Sequence, residues 1–435
     1  MPSMILFNRI TELEAKRQRA PVAQGIERPV AVREVAGSIP AWRTMLKYMQ
    51  NRNLKLFYLH ELLFQFSDTM LMLVLPIFIY RLFNSVSAVF LFVMAWNLIH
   101  GLLFLPVFNL AMKWKQPKYF MMAGIVFYIA ALSLFSLTTA QNKAMIIPAV
   151  VMYSLYISFY WMVRHWFIGV NSDYKVIGRQ MSIVFIIQTL IAFVAPIIGG
   201  AVSFLISFNA TFIIGICSGL ISLIPIVLFD APANTEKYSY KKLLQTLKQE
   251  EVRAVSPGYF WEGVSFTAIT NTWVLIFAIF IGSIMDLGIL IGCTTLITGL
   301  IIWLTGMWFD KKSRANLLIR ISRIRTLTIM AYATIYFMPH MAYVWVVEFL
   351  NRLMLTMQNT VLSSYLYAYG NKINPVNFML SREVYLNISR FVTAAILAIA
   401  FHFLPETYLW LVIFLGSFAM FGMTYAARSD HHLNT

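Results

Sequence analysis

The chain has 435 residues, of which 60% are apolar and 12% are Asp, Glu, Lys or Arg, and its mean hydropathy is +0.71. Such a composition excludes a soluble globule and points to a polytopic membrane protein. A net charge of +16 invites a nucleic-acid reading. Yet after residue 45 nearly every Lys and Arg falls in alternate inter-span segments, with only Arg81 and Lys143 in the others. The positive-inside rule accounts for that asymmetry, so no nucleic-acid partner is called for. The lipid bilayer is the expected partner, in the cytoplasmic (inner) membrane, with multiple passes and both termini cytoplasmic.

About twelve apolar runs are long enough to span: roughly 55–80, 85–110, 118–139, 144–168, 181–204, 207–229, 258–282, 285–308, 317–338, 341–368, 383–404 and 406–427. Each must be helical, because lipid leaves an open backbone unsatisfied. The expected fold class is therefore all-α, with about 12 transmembrane helices. Cys217 and Cys293 fall inside apolar spans and read as small buried hydrophobes, with no disulfide or metal implied.

Residues 1–44 differ in character. The stretch Val22 to Ala41 resembles the in-frame translation of a transfer-RNA gene, whose invariant arm read as codons gives the form of Gly37-Ser38-Ile39-Pro40. A natural start at Met45 or Met49 is expected, with 1–44 a disordered or artefactual extension; a genuine cytoplasmic arm is the competing reading.

The first span carries Glu61, Gln65, Ser67 and Asp68. Charges within spans are costly and usually face the bundle interior or a watery cavity. Asp68, two turns deeper than Glu61 on nearly the same face, is the candidate for proton or ion coupling, against a hydrogen-bonded structural acid. Glu61 is placed to snorkel or to pair with a basic neighbour. Pro76 is expected to kink the outer end. His100 in the second span either shuttles protons or hydrogen-bonds a neighbouring helix. In the fourth span Tyr153, Tyr156, Tyr160 and Trp161 recur at three and four residues, lining a solute cavity or packing between helices. Arg164 below them needs an acidic partner or water.

In the fifth span, small residues and a proline run through Ala192-Phe-Val-Ala195-Pro196-Ile-Ile-Gly199-Gly200, which lets two helices touch and bends the contact. Residues 230–256 form the long inner connection, with Ser239 to Glu251 amphipathic: Leu243, Leu244 and Leu247 share a face, and Lys241, Lys242 and Lys248 suit anionic headgroups. The seventh span has Glu262 near its inner end and Thr267, Thr270, Asn271, Thr272 and Trp273 at mid-depth. Asn271, Thr270 and Trp273, with Tyr160 and Asn359, are the solute-binding candidates; helix-to-helix hydrogen bonding is the alternative. Arg320, Arg323 and Arg325 open the ninth span and are expected to snorkel. Glu348 and Arg352 in the tenth are four apart and able to pair. In the eleventh, Arg382 and Arg390 are expected to close an inner gate on Glu61 or Glu262.

The loop after the eighth span reads Gly306-Met-Trp-Phe-Asp310-Lys311-Lys312-Ser-Arg314. It resembles the Gly-x-x-x-Asp-(Arg/Lys)-x-Gly-(Arg/Lys) loop of the major facilitator superfamily, with Ser313 in place of the later glycine. An offset of 201 residues lays Asn109 on Asp310 and Tyr58-Leu-His-Glu61 on Tyr259-Phe-Trp-Glu262, which suggests internal duplication. The resemblance implies two pseudo-symmetric six-helix bundles, 45–229 and 257–435, joined by 230–256. It implies alternating access of a small solute about a central site, with Gly306, Asp310, Lys311, Arg314, Pro196, Gly199 and Gly200 in gating. The fifth-span run is similar to a family element known in drug/proton antiporters, which leans towards export. Family members often carry an arginine in the fourth helix that takes part in proton coupling, the position of Arg164. Protons are then the expected coupling ion, carried by Asp68 with Glu262 second, and the protein is expected to be a monomer. No nucleotide-binding loop, paired histidines with an acid, or Gly-x-Ser-x-Gly occurs in the sequence, so neither a cofactor nor an enzyme activity is expected. An uptake symporter and a non-transporting receptor or scaffold are the rival readings.

Overall fold

The computed structural model describes residues 52–171, 177–230, 239–309, 314–372 and 375–429. The extension 1–44 lies outside them, as do Asp310 and Lys311, and the side chain of Arg314 is not described.

Helices follow the apolar runs. They are α1 (Arg52–Phe83), α2 (Val86–Lys113), α3 (Pro117–Leu137), α4 (Ile146–Asn171), α5 (Ile177–Leu205) and α6 (Phe208–Leu228). A short α7 (Tyr240–Leu247) precedes α8 (Glu250–Ile281), α9 (Ile284–Phe309), α10 (Arg314–Ile335), α11 (Met341–Lys372), α12 (Pro375–Phe403) and the broken α13 (Glu406–Ala427). The boundaries are set by local chemistry. Ser85 and Ser207 accept from the amides of Ala88 and Ala210 and so satisfy the first turns of α2 and α6, while Pro117 opens α3 where its missing N–H costs nothing. Between α1 and α2 the chain reverses in two residues, with Asn84 in the left-handed region at φ 51°.

Among the described residues, ten helices are long and apolar enough to cross a membrane. The other two long ones, α10 and α11, carry arginines and a glutamate in their described portions. Large apolar side chains such as Leu102, Leu205 and Ile399 are at least 64% exposed, as they must be on helices solvated by acyl chains.

Within each half the helices pack closely: α1 on α5 and α6, α3 on α4 and α6, α2 on α4, then α8 on α12 and α13, and α10 on α11 and α13. Two long seams join the halves, α5 with α9 and α2 with α12. The first is made of small residues. A methyl group on Gly288 of α9 would collide with the carbonyl of Pro196, and one on Gly200 would meet the carbonyl of Ile284, so backbone touches backbone there. The element read as a helix contact in the fifth span is thus built into a cross-half seam, with Gly199 facing Met70 of α1 instead. The halves also meet at the face carrying the 84–85 and 404–405 connections. Tyr80 donates to Glu406 (2.7 Å), Ser87 donates to the carbonyl of Ala398 (2.8 Å), and Phe90 stacks on Phe401.

Four expectations need correction. Cys217 is exposed and Cys293 only half-buried, because an apolar residue of a membrane helix need not be covered by protein. The seventh span begins at Glu250 rather than near 258, since the polar turns before it continue the same helix. In α7 only Leu243 of the three leucines is buried, together with Thr246, while Leu244 is exposed. Arg325 does not snorkel: it is 5% exposed, while Arg320 and Arg323 do face outward.

Candidate functional site

Buried charge is found in both halves of the molecule. In the first half, Glu61, Gln65 and Asp68 recur at i, i+4 and i+7 and form one stripe of α1, all of them buried. Arg164 of α4 grips Glu61 as a fork: its Nε lies 2.9 and 3.0 Å from the two carboxylate oxygens, and its NH2 group donates to Oε2 as well. The guanidinium also lies 5.0 Å over the Trp161 ring. This is the acidic partner that Arg164 required.

Tyr160 donates to Glu61 (2.9 Å) while its hydroxyl also lies 2.8 Å from His60 Nε2, and His60 Nδ1 lies 3.0 Å from the carbonyl of Ser222. A carbonyl only accepts, so Nδ1 carries a proton. A tyrosine hydroxyl has one proton, here facing two acceptors if His60 is neutral and Glu61 ionised. All these contacts become hydrogen bonds at once only when His60 or Glu61 holds an additional proton.

Asp68 is held differently. It occupies the middle of the 32-residue α1 and accepts one neutral hydrogen bond, from Tyr156 (2.9 Å), whose hydroxyl in turn accepts from Trp161 Nε1 (3.2 Å). Among the described residues it makes no ion pair. Tyr128, Tyr153 and Tyr156 pack edge-on and tilted around it, so the aromatic run of α4 lies against α1 and α3.

In the second half, Arg382 of α12 donates to Glu262 of α8 (2.7 Å) and lies 3.6 Å from Glu383. Of the contacts expected for the inner gate only Arg382–Glu262 is made, within one half: Glu61 is taken by Arg164, and among the described residues Arg390 pairs with neither acid. Arg390 instead lies over the Phe266 ring, 4.8 Å from its centroid. Glu383 reaches across the halves towards His100 of α2 (4.0 Å), which is itself bonded to Ser158 (3.0 Å), the neighbouring-helix partner read for that histidine. Glu348 and Arg352 pair along α11 as their spacing required.

The polar belt of α8 runs over a π-helical turn, 266–270, and the α-helical stretch 271–276, with a second π-turn at 277–281 beyond it, a distortion that recurs at functional sites. Thr272 Oγ1 and Trp273 Nε1 are buried without a hydrogen-bond partner, Asn271 donates to the carbonyl of Thr267 (3.3 Å), and Thr270 is exposed. Trp273 points into its own half, 4.3 Å from the Tyr332 ring of α10. Asn359 is exposed, whereas its neighbour Gln358 is buried, accepting from Arg325 and donating to Ser322 (2.9 Å). Sequence reasoning passed over His60 and the Arg325–Gln358 bond. Adjacency to Glu61 was the available signal for the first; the second needed the register between α10 and α11. Clefts of about 390 Å³, at Thr334, Tyr343 and Trp410, and about 290 Å³, at Arg253, Pro257 and Trp261, open elsewhere. Neither is lined by Asp68, Glu61 or Arg390, and buried ionisable groups mark a membrane site better than a surface cleft does.

No family model matches the sequence, and no curated protein matches it. Solved structures do. The human organic anion transporter MFSD10 (TETRAN) is 12% identical with a TM-score of 0.63, covering 89% of this chain and 100% of that one. A POT family transporter in complex with a thioalcohol-conjugated peptide is 13% identical, and one in complex with 5-aminolevulinic acid 12%; each has a TM-score of 0.70 and covers 88% of this chain and 97% of that one. The chain has the major facilitator fold, as the Gly306 loop led us to expect, and ten of its described helices are long and apolar enough to cross a membrane.

Proposed function

We propose that the protein is a secondary active transporter that moves a small solute across the cytoplasmic membrane by alternating access and draws on a proton gradient. The observation that carries this reading is Asp68, a carboxylate at the midpoint of α1 held by one neutral donor. Such a group changes charge at small cost compared with one clamped by arginine. The Glu61–Tyr160–His60 contacts, one proton short of closure, supply a neighbouring place for a proton. Glu262, with one buried carboxylate oxygen unpartnered, is the second coupling candidate. The solved neighbours, named for an organic anion and for bound peptide and 5-aminolevulinic acid, support a small solute as cargo. The solute is expected between the halves, near Asn271, Thr270 and Tyr160. Pro196, Gly199 and Gly200, with Arg382 and the Gly306 loop, serve the rocking motion. The fifth-span element favours export; uptake by symport is the second reading.

The test is a solute-panel flux assay in proteoliposomes with an imposed proton gradient, comparing the parent with Asp68→Asn. Gradient-driven flux that the substitution leaves intact removes Asp68 from the mechanism.

A further inference from the structure

Of the five arginines within the described interior, three are clamped by a carboxylate: Arg164 by Glu61, Arg352 by Glu348 and Arg382 by Glu262. Arg325 is bound by the Gln358 amide and lies on α10, which packs mainly on α11 and α13 of its own half. Arg390 is different in both respects. Among the described residues it makes no ion pair, its buried Nε has no hydrogen-bond partner, and one face of its guanidinium is covered by Phe266.

Its position is equally distinctive. Glu383, Asn387 and Arg390 recur at i, i+4 and i+7 and form one stripe of α12. Glu383 reaches His100, and Gly101 faces the Cβ of Asn387, so this stripe is turned towards α2 of the other half. Arg390 is at the middle of the 29-residue helix, the level at which Asp68 stands in α1. The residue is half-buried, so Arg390 is not sealed into the packing of its own half. Glu383 and Glu262 act on it only through space, with no carboxylate among the described residues in direct contact, and a buried cation held so loosely is costly, so its retention marks use.

We infer that Arg390 is the docking point for a carboxylate group on the transported solute. A guanidinium stacked on an aromatic face presents its N–H edge as a rigid fork, which two carboxylate oxygens match in one plane. The orphan Asn387 amide oxygen, one turn away, offers an acceptor for a hydroxyl or amine elsewhere on the same molecule. A single unpaired cation favours a monoanion: a phosphate dianion would bring more charge into the layer than Arg390 neutralises. The assignment rests on the transporter reading for the word "transported" only, since docking itself is a binding event.

The test uses the purified full chain in lipid nanodiscs and reads its melting temperature against acetate, lactate, benzoate and 4-phenylbutyrate, each beside its own amide, with inorganic phosphate alongside. At least one carboxylate is expected to stabilise the protein while its amide does not. Arg390→Gln is expected to weaken that carboxylate about tenfold or more, the loss of a charge-assisted pair, with Arg390→Lys intermediate. Should Arg390→Gln fail to fold, Arg390→Lys serves, and unchanged affinity in it overturns the assignment. So do stabilisation by none of the four carboxylates, equal stabilisation by an amide, or stronger stabilisation by phosphate. Carboxylate binding without flux in proteoliposomes overturns the transporter reading and leaves the docking site standing. Flux of an uncharged or cationic solute that Arg390→Gln leaves unchanged does the reverse.

Discussion

The two halves each present a polar stripe with one pattern and opposite sign. On α1 it runs Glu61, Gln65, Asp68; on α12 it runs Glu383, Asn387, Arg390, an acid, an amide and then an ion, at identical spacing. In the first the outermost acid is saturated by arginine and the innermost position holds a lone carboxylate; in the second the innermost position holds a lone guanidinium. The clamps differ too. Side chains of the Glu61–Arg164 pair are 3% and 4% exposed, those of Glu262–Arg382 about a fifth. A nearly dry pair is structural ballast for its half, whereas a wetter one can open and close at less cost.

Experiments can break that contrast, beginning with the largest effect. Asp68→Asn should reduce gradient-driven flux to background while leaving solute exchange without a gradient measurable; equal loss of both would make Asp68 a structural acid like its neighbours. Arg164→Gln strands a buried carboxylate and should cost about 3–5 kcal/mol, read as a fall in melting temperature, against a smaller fall for Arg382→Gln. Equal falls would erase the distinction between the clamps. Gly288→Ala puts a methyl group onto the Pro196 carbonyl and should destabilise by about 1–3 kcal/mol, or spread the α5–α9 seam, seen as a longer distance between spin labels on the two helices. Tyr80→Phe removes one cross-half hydrogen bond, worth about 0.5–1.5 kcal/mol, and should shift the population towards separation of Asn84 and Leu404 in double electron–electron resonance. No shift would mean that Ser87 and the Phe90–Phe401 stack hold that face unaided.

Much of the architecture was legible because apolar length alone sets a membrane helix, and the polar interruptions at Glu61, Asp68, Glu262 and Arg390 stand out against it. Pairings within one helix, such as Glu348 with Arg352, followed from spacing. Pairings between helices did not. Periodicity tells which face a residue occupies but not which neighbour covers that face, so Glu61 was offered to α12 when α4 holds it, and Arg325 was sent to the interface when Gln358 draws it inward. Trp273 likewise stood with the solute-facing belt on depth alone, although its ring packs against α10. The Gly306 loop, which first suggested the fold, has Asp310 and Lys311 outside the described residues.

The buried contact between Arg325 and Gln358 bears on how the chain is made. α10 carries four arginines in its first dozen residues, and an arginine near a helix centre raises the insertion cost by about 2.5–3.5 kcal/mol. A segment so burdened partitions poorly by itself, but Gln358, which also donates to Ser322, can receive the Arg325 guanidinium once the next helix emerges. Biogenesis should therefore hold α10 at the translocon until α11 arrives, and release the two together as a hairpin.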